Sequence, residues 1–200
     1  MFNIICPKQE GGFASNTYII ESSGECAIID PSVPYSESLV PGRLKYVFIT
    51  HAHFDHILEI NSWASAGAPI YISYADKDAL RDPYRNCYKI FFGRDDGYFG
   101  EVFTMREGDT FSVGDESLTV KETPGHTPGC AVLYNSDVAF VGDTVFAGGG
   151  YGRWDLPGGD YDLLRGSIRA VMALDDNTVL YPGHGDKTTV REFKNDIHLR

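Results

Sequence analysis

Four metal-capable side chains fall within six consecutive positions, His51-Ala52-His53-Phe54-Asp55-His56, directly after the apolar, β-branched run Tyr46 to Thr50. A fold that accepts this segment must gather imidazoles and a carboxylate at the end of a strand, and must bring from elsewhere whatever completes their surroundings. Two further histidines stand in stiff glycine- and proline-rich turns, His126 in Thr123-Pro124-Gly125-His126-Thr127-Pro128-Gly129 and His184 in Pro182-Gly183-His184-Gly185. Between them, Gly142-Asp143-Thr144 follows the apolar run Val138 to Val141, so a second carboxylate closes a strand. The one remaining histidine, His198, reads as a surface residue.

Geometry sorts these donors. His51 and His53, two apart in extended backbone, project to one side and can share a metal. Asp55 and His56 follow where a helix would begin and can point at a neighbouring position. His126 and His184 would complete the two groups, and Asp143 could bridge them. Imidazole and carboxylate donors suit zinc and also accept iron or manganese, while the set is too nitrogen-rich for calcium or magnesium. Two such ions about 3.5–4 Å apart can hold a shared hydroxide that is nucleophilic at neutral pH. The same ions polarise a carbonyl and stabilise the oxyanion formed on attack.

Size and composition set limits on the rest. A chain of 200 residues and 22.1 kDa suits one domain spanning residues 1–200, large enough to bury roughly 70% of its unfolded surface without disulfides. Cys6, Cys26, Cys87 and Cys130 form no CxxC pair, and Cys26 and Cys130 sit in strand-like runs where a buried free thiol is expected, which suits a reducing compartment. The start Met1-Phe2-Asn3-Ile4-Ile5-Cys6-Pro7 lacks a basic segment before a long apolar stretch, so a cytoplasmic protein is expected. No run approaches the roughly 20 apolar residues of a membrane span. A net charge of -11 and a pI near 4.8 oppose attraction to nucleic acid or an anionic membrane. A small-molecule substrate is expected, with the protein a monomer or homodimer.

Short apolar runs separated by turn residues predict strands over Phe2 to Cys6, Asn16 to Glu21, Cys26 to Asp30, Tyr46 to Thr50, Ile70 to Ser73, Ser117 to Glu122, Cys130 to Asn135, Val138 to Gly142 and Thr178 to Pro182. Helices are predicted over His56 to Ser65, Asp76 to Arg81 and Thr188 to Ile197. A further helix starts at Asp160 as N-cap, where Leu163, Leu164, Ile168, Val171 and Met172 recur at helical spacing. Strands dominate, with helices on the outer faces. The aromatic-rich stretch Asp82 to Met105 reads as a lid, an oligomer contact or aromatics completing the core under a loop.

These motifs, HxHxDH at 51–56, TPGHTPG around His126, GDT around Asp143 and PGHG around His184, resemble the metallo-β-lactamase-fold hydrolases in type and in order along the chain. The resemblance implies an α/β fold, a four-layer αβ/βα sandwich with the site at one edge. It places His51, His53 and His126 on a first metal, Asp55, His56 and His184 on a second, and Asp143 between them, with two divalent ions, zinc first. Asp30, in Ile28-Ile29-Asp30-Pro31, matches a family aspartate that orients a histidine ligand, although an Asp-Pro pair also starts turns.

Within that family the chain is most similar to glyoxalase II and its shorter relatives, which hydrolyse glutathione thioesters such as S-lactoylglutathione. Gly142 to Phe146 followed by Gly150-Tyr151-Gly152-Arg153 is similar to the segment in which a basic residue receives the glutathione carboxylate. Arg153 would take that role with Tyr151 nearby, or would simply pair with Asp155. Asp55 and Asp143, with a metal-bridging hydroxide, are the expected catalytic groups. The chain ends about 16 residues after His184, where full-length glyoxalase II continues into a helical domain that contacts glutathione.

The competing expectation is an iron-dependent persulfide dioxygenase, whose members resemble this chain in motif but hold one iron through His51, His126 and Asp143. A β-lactamase is disfavoured by the cytoplasmic N-terminus, RNA-processing relatives by the acidic charge, and flavodiiron oxygen reductases by a histidine at 53 where they have glutamate. A noncatalytic module would be expected to have lost ligands, and none is missing.

Overall fold

The computed structural model describes residues 1–7 and 12–198. Its first sheet takes the strands in the order β1 (Asn3–Ile5), β2 (Tyr18–Ser22), β3 (Glu25–Ile29), β4 (Arg43–Ile49), β5 (Ile70–Ser73) and β6 (Phe103–Met105). The meander β1 to β3 is antiparallel, and β3 to β6 run parallel. The second sheet is built from β7 (Thr110–Val113), β8 (Glu116–Glu122), β9 (Ala131–Tyr134), β10 (Val138–Gly142), β13 (Val179–Pro182) and β14 (Thr188–Thr189). A small hairpin, β11 (Val145–Phe146) with β12 (Gly150–Tyr151), stands beside it.

The central strands β3, β9 and β10 are buried on both faces, as strands sandwiched between layers must be. In β4, Phe48 joins Ile20, Ile29, Leu133 and Phe140 in the core between the sheets, while Val47 and Ile49 face the other way. The outer face of the first sheet packs Val47, Ile49 and Ile72 against Ile60, Trp63 and Leu80. On the second sheet, Val141 and Leu180 meet the helices α3 (Tyr161–Met172) and α4 (Val190–Asp196) through Leu164, Ile168, Val171 and Phe193. Helical layers therefore flank two sheets, the expected four-layer order. Each fully buried aliphatic or aromatic side chain contributes about 1.5–3 kcal/mol.

The best-patterned helix forms as its sequence predicts. Asp160 accepts a hydrogen bond from the Leu163 N–H at 2.9 Å, and Leu164, Ile168 and Val171 make the buried stripe of α3. At α4 the Thr189 hydroxyl and the Glu192 carboxylate cap each other's backbone, and the preceding residues Thr188–Thr189 form β14 in place of a helical start.

Elsewhere the prediction needs correction. Instead of one helix over His56 to Ser65 there is a 3-10 turn at Phe54–His56, then the short α1 (Ile60–Ala64). The tight turn carries Asp55 and His56 to the donor cluster, and the helix proper starts only after it. Asp76 to Arg81 is also a 3-10 turn, Lys77–Arg81. The strands β6 and β7 were not foreseen, because Phe103–Met105 and Thr110–Val113 are too short to show alternation. Within Asp82 to Met105 lies α2 (Tyr88–Phe92), and Tyr98 is buried in the outer core, so part of that stretch completes the core.

Strands β4, β8, β10 and β13 all end at the same rim, each immediately ahead of a ligand-bearing turn. No helix among the described residues is long and apolar enough to cross a membrane.

Candidate metal centre

At that rim the sheets touch through Thr50 and Gly142. Gly142 has φ of +48°, and a Cβ there would sit 2.6 Å from the Thr50 hydroxyl, so only glycine allows the approach. From this contact the hexad and the Asp143 turn face each other.

In the first group, His51 Nε2 lies 3.2 Å from His53 Nδ1 and 3.2 Å from His126 Nε2. In the second, His184 Nε2 lies 3.0 Å from Asp55 Oδ2, and His56 Nε2 lies 3.9 Å from the same oxygen. Asp143 reaches both: Oδ1 is 3.3 Å from His56 Nε2, and Oδ2 is 3.6 Å from each of His126 Nε2 and His184 Nε2. The donor atoms of His51, His53 and His126, of His51, His56 and Asp143, and of Asp55, His56 and His184 each lie within 4.8 Å of one another. The seven residues singled out in the sequence thus converge from positions up to 133 apart.

The surroundings fix which nitrogen is free. His126 Nδ1–H donates to the Arg153 carbonyl at 2.6 Å, and His56 Nδ1–H donates to Asp30 Oδ2 at 2.8 Å, so in each neutral ring Nε2 keeps its lone pair. Asp30, 1% exposed, also accepts the Thr50 N–H and hydroxyl, both at 2.8 Å. Its carboxylate, and not merely an Asp-Pro turn, is what the fold uses.

This donor set fits a divalent ion. His56 Nε2 and Asp143 Oδ1 are buried and face one another at ion-pair distance, 3.3 Å, without hydrogen-bond geometry, and His53 Nε2 at the other edge of its ring has no partner. Such orphans cost about 1–3 kcal/mol each and are rare in folded proteins. A cation among the donors would satisfy the first two. The lone pairs of His51, His53 and His126, crowded at 3.2 Å, cannot all be answered by shared protons.

Charge is distributed accordingly. Burial, reinforced by the neighbouring imidazoles, holds His51 well below the usual histidine range and His53 down to about 3, so both are in the neutral ligand form. On the other side, burial acts to raise the carboxyls of Asp55 and Asp143, but His56 and its fellow histidines outweigh it and keep both ionised. Burial acts to lower His56, yet Asp30, Asp143 and Asp55 push it well above its ordinary value, and Asp55 and Asp143 do the same more mildly for His184. Protons on these two rings stand where a metal's charge would.

One positioning residue escaped the sequence. Asp76, fully buried, accepts the Ala52 N–H at 3.1 Å, the Thr127 hydroxyl at 2.7 Å and the Gly129 N–H at 2.9 Å. It ties the peptide between His51 and His53 to the turn carrying His126. As a polar residue opening a short helical turn it gave no signal, since its partners come from 24 to 53 residues away. His198 is exposed, as expected, and Cys26, Cys87 and Cys130 are buried free thiols.

Above the donors opens a cavity of about 390 Å³, with His53, Asp55, His126, Asp143 and His184 at its floor. Phe13, Phe54, Phe91, Phe146 and Leu156 make the walls, and Cys87 and Arg153 also line it. Arg153 lines the cavity and is paired to Asp155 through two bonds of 2.7 Å, the second of the two roles its sequence position allows. Tyr151 lies on β12 and packs toward the core behind α3 and α4; it is not among the residues of the cavity wall.

Known proteins are similar to this chain in sequence and fold. A sequence model of the Metallo-beta-lactamase superfamily matches residues 11–184. Hydroxyacylglutathione hydrolase GloC of Haemophilus influenzae is 30% identical over 91% of each chain, and the probable metallo-hydrolase YqgX of Bacillus subtilis is 30% identical over 90% of this chain and 89% of its own. The BLEG-1 B3 metallo-beta-lactamase structure superposes with a TM-score of 0.85 at 29% identity, covering 98% of this chain and 97% of that one. TTHA1623 in a di-iron-bound form gives 0.81 at 25%, covering 96% and 98%. ETHE1 from Myxococcus xanthus, at 24% identity and a TM-score of 0.69 over 98% and 82%, shares the fold. With the fold, the ligand motifs and the family match in agreement, the chain belongs to the metallo-beta-lactamase superfamily.

Proposed function

We propose that this protein is a dinuclear metal-dependent hydrolase of small thioesters. The observation that carries the reading is Asp143 at the floor of an apolar-walled cavity, its Oδ1 facing His56 of one donor group and its Oδ2 standing equally far from His184 of that group and His126 of the other. His51, His53 and His126 would hold one ion, Asp55, His56 and His184 the other, and Asp143 would contact both. The ions, zinc or equally iron or manganese by donor chemistry, would activate water at neutral pH and polarise the acyl carbonyl. Hydrolysis breaks the C–S bond and forms a C–O bond, with the thiol leaving protonated and the acid released as carboxylate.

The chain's own contribution is arrangement. Asp30 and the Arg153 carbonyl hold His56 and His126 in the tautomers that present Nε2, and Asp76 fixes the loops that carry the first group. Phe54, Phe91, Phe146 and Leu156 put apolar surface above the floor, which lowers the local polarity and strengthens electrostatic contacts there. Similarity to the Haemophilus GloC supports a thioester, and similarity to BLEG-1 puts a lactam among the substrates to be assayed.

Metal analysis of protein purified without added metal or chelator tests the reading. Two equivalents per chain, thioester turnover, and loss of both the second equivalent and turnover in His184→Ala are expected. One equivalent of iron with oxygen uptake on glutathione persulfide would replace hydrolysis by persulfide dioxygenation. Full activity in His184→Ala would end the two-metal mechanism.

A further inference from the structure

The cavity presents one cationic side chain to a substrate, and that side chain is already paired. Among the described residues that line it, Arg153 is the one lysine or arginine. Its Nε and Nη2 both bond the Asp155 carboxylate, at 2.7 Å each, so the side-on fork of the guanidinium is filled and its charge offset. The Arg153 carbonyl is held by His126 at 2.6 Å, and Asp155 is only two residues further on. The whole chain carries a net charge of -11. A substrate carrier bearing carboxylates therefore finds the one cationic fork of the cavity already taken and an acidic chain around it.

The walls offer the opposite chemistry. Phe54, Phe91, Phe146 and Leu156 present apolar surface beside the donor groups, and a volume of about 390 Å³ holds a small acyl chain with its thiol.

Resting on the thioester hydrolase reading, we propose that the substrates are thioesters with an uncharged, apolar body laid on this wall, and that Asp155 is the residue that sets this specificity by keeping Arg153 paired. The class of reaction that supplies them acylates a thiol without adding a carboxylate arm.

The test compares matched pairs on the metal-loaded protein. For turnover the pair is the butyryl thioester of N-acetylcysteamine and that of glutathione; for binding it is S-butyl-N-acetylcysteamine and S-butylglutathione, thioethers that cannot be hydrolysed. The neutral member is expected to show the higher kcat/KM and the tighter binding. Asp155→Asn is expected to shift both ratios about three- to tenfold toward the glutathione member, the range of an exposed but bidentate ion pair. Phe91→Ala is expected to weaken the neutral thioether about fivefold or more through lost apolar contact. A glutathione preference in the unmodified protein, or ratios unmoved by Asp155→Asn, would overturn the proposal. If neither thioester is turned over while the thioethers bind in the expected order, the hydrolase reading fails and the specificity of the cavity stands.

Discussion

Gly183 shows how finely the two donor groups are spaced. A Cβ at this position would lie 2.2 Å from Asp143 Oδ1, 2.6 Å from His56 Cε1 and 3.1 Å from His56 Nε2. Ordinary contact begins at 3.4 Å, so Gly183→Ala demands a retreat of 1.2 Å at the Asp143 oxygen. His56 cannot supply it, because the ring is fully buried and tethered to Asp30 at 2.8 Å. Nor can the backbone: the Gly183 N–H donates to the Gly142 carbonyl at 2.8 Å, and its own carbonyl accepts from Asn16 at 2.6 Å. The displacement therefore falls on the carboxylate that faces both groups. A misplacement of about 1 Å costs on the order of 100-fold in rate, and loosened ligand support costs about 10- to 100-fold in metal affinity. Competition titration against a chromogenic chelator reads the affinity, and far-UV circular dichroism confirms the fold. Gly185→Ala is the control. It sits at φ of +77° with nothing within 4 Å, so it strains the backbone without entering the site. If Gly183→Ala kept both metal equivalents within about threefold of the parent affinity, the reasoning that this missing Cβ spaces Asp143 from His56 would be wrong.

Three further outcomes follow from the contacts described above. Asp30→Asn keeps an acceptor for His56 but turns an amide donor toward Thr50; about 1–3 kcal/mol of stability and a 10- to 100-fold loss of metal affinity are expected, read by urea unfolding and metal titration. Asp76→Ala strands the Ala52 and Gly129 N–H groups and the Thr127 hydroxyl, costing about 3 kcal/mol, whereas Asp76→Asn loses one of the three bonds and should cost about a third as much; equal effects would refute the assignment. Glu25, held to about 2 chiefly by Lys45 at 2.8 Å and also by the Gly114 N–H and Arg43, has a folded pKa below its ordinary 4.5. Its contribution is fully present above pH 4.5 and is lost as pH falls toward 2, so Glu25→Gln should flatten the acid limb of the metal-free protein's stability between those values, measured by denaturation at stepped pH.

The donor set was legible because each member lies in a local motif: the hexad after an apolar strand, and His126, Asp143 and His184 in turns whose glycines and prolines leave few conformations. That strands dominate and helices cover outer faces was legible from the apolar runs and from the stripe Leu164, Ile168 and Val171, while the four-layer order was legible only through the resemblance that the ligand motifs carry. What stayed hidden depends on distant partners. Asp76 acts on backbone groups that only the folded rim brings to it, and the pairing of Arg153 with Asp155 was one of two open readings until the side chains were placed. The helix expected over His56 to Ser65 failed because the demands of the site override helical periodicity there. Short strands such as Phe103–Met105 carry too few residues for a period to appear.

The donors come from both sheets, with His51 to His56 following a strand of the first and His126, Asp143 and His184 following strands of the second. Bound ions would therefore act as a removable staple between two layers joined otherwise by apolar packing and by a few hydrogen bonds, such as those from Asn16 to Gly183 and from Ala131 to Thr50. At a free metal concentration of 1,000 times the dissociation constant, one such staple adds about 4 kcal/mol against global unfolding. Amides at the ends of β4, β10 and β13 would then exchange with solvent only as fast as the ions depart, so the rim's opening rate and the metal's residence time would be one quantity measured in two ways.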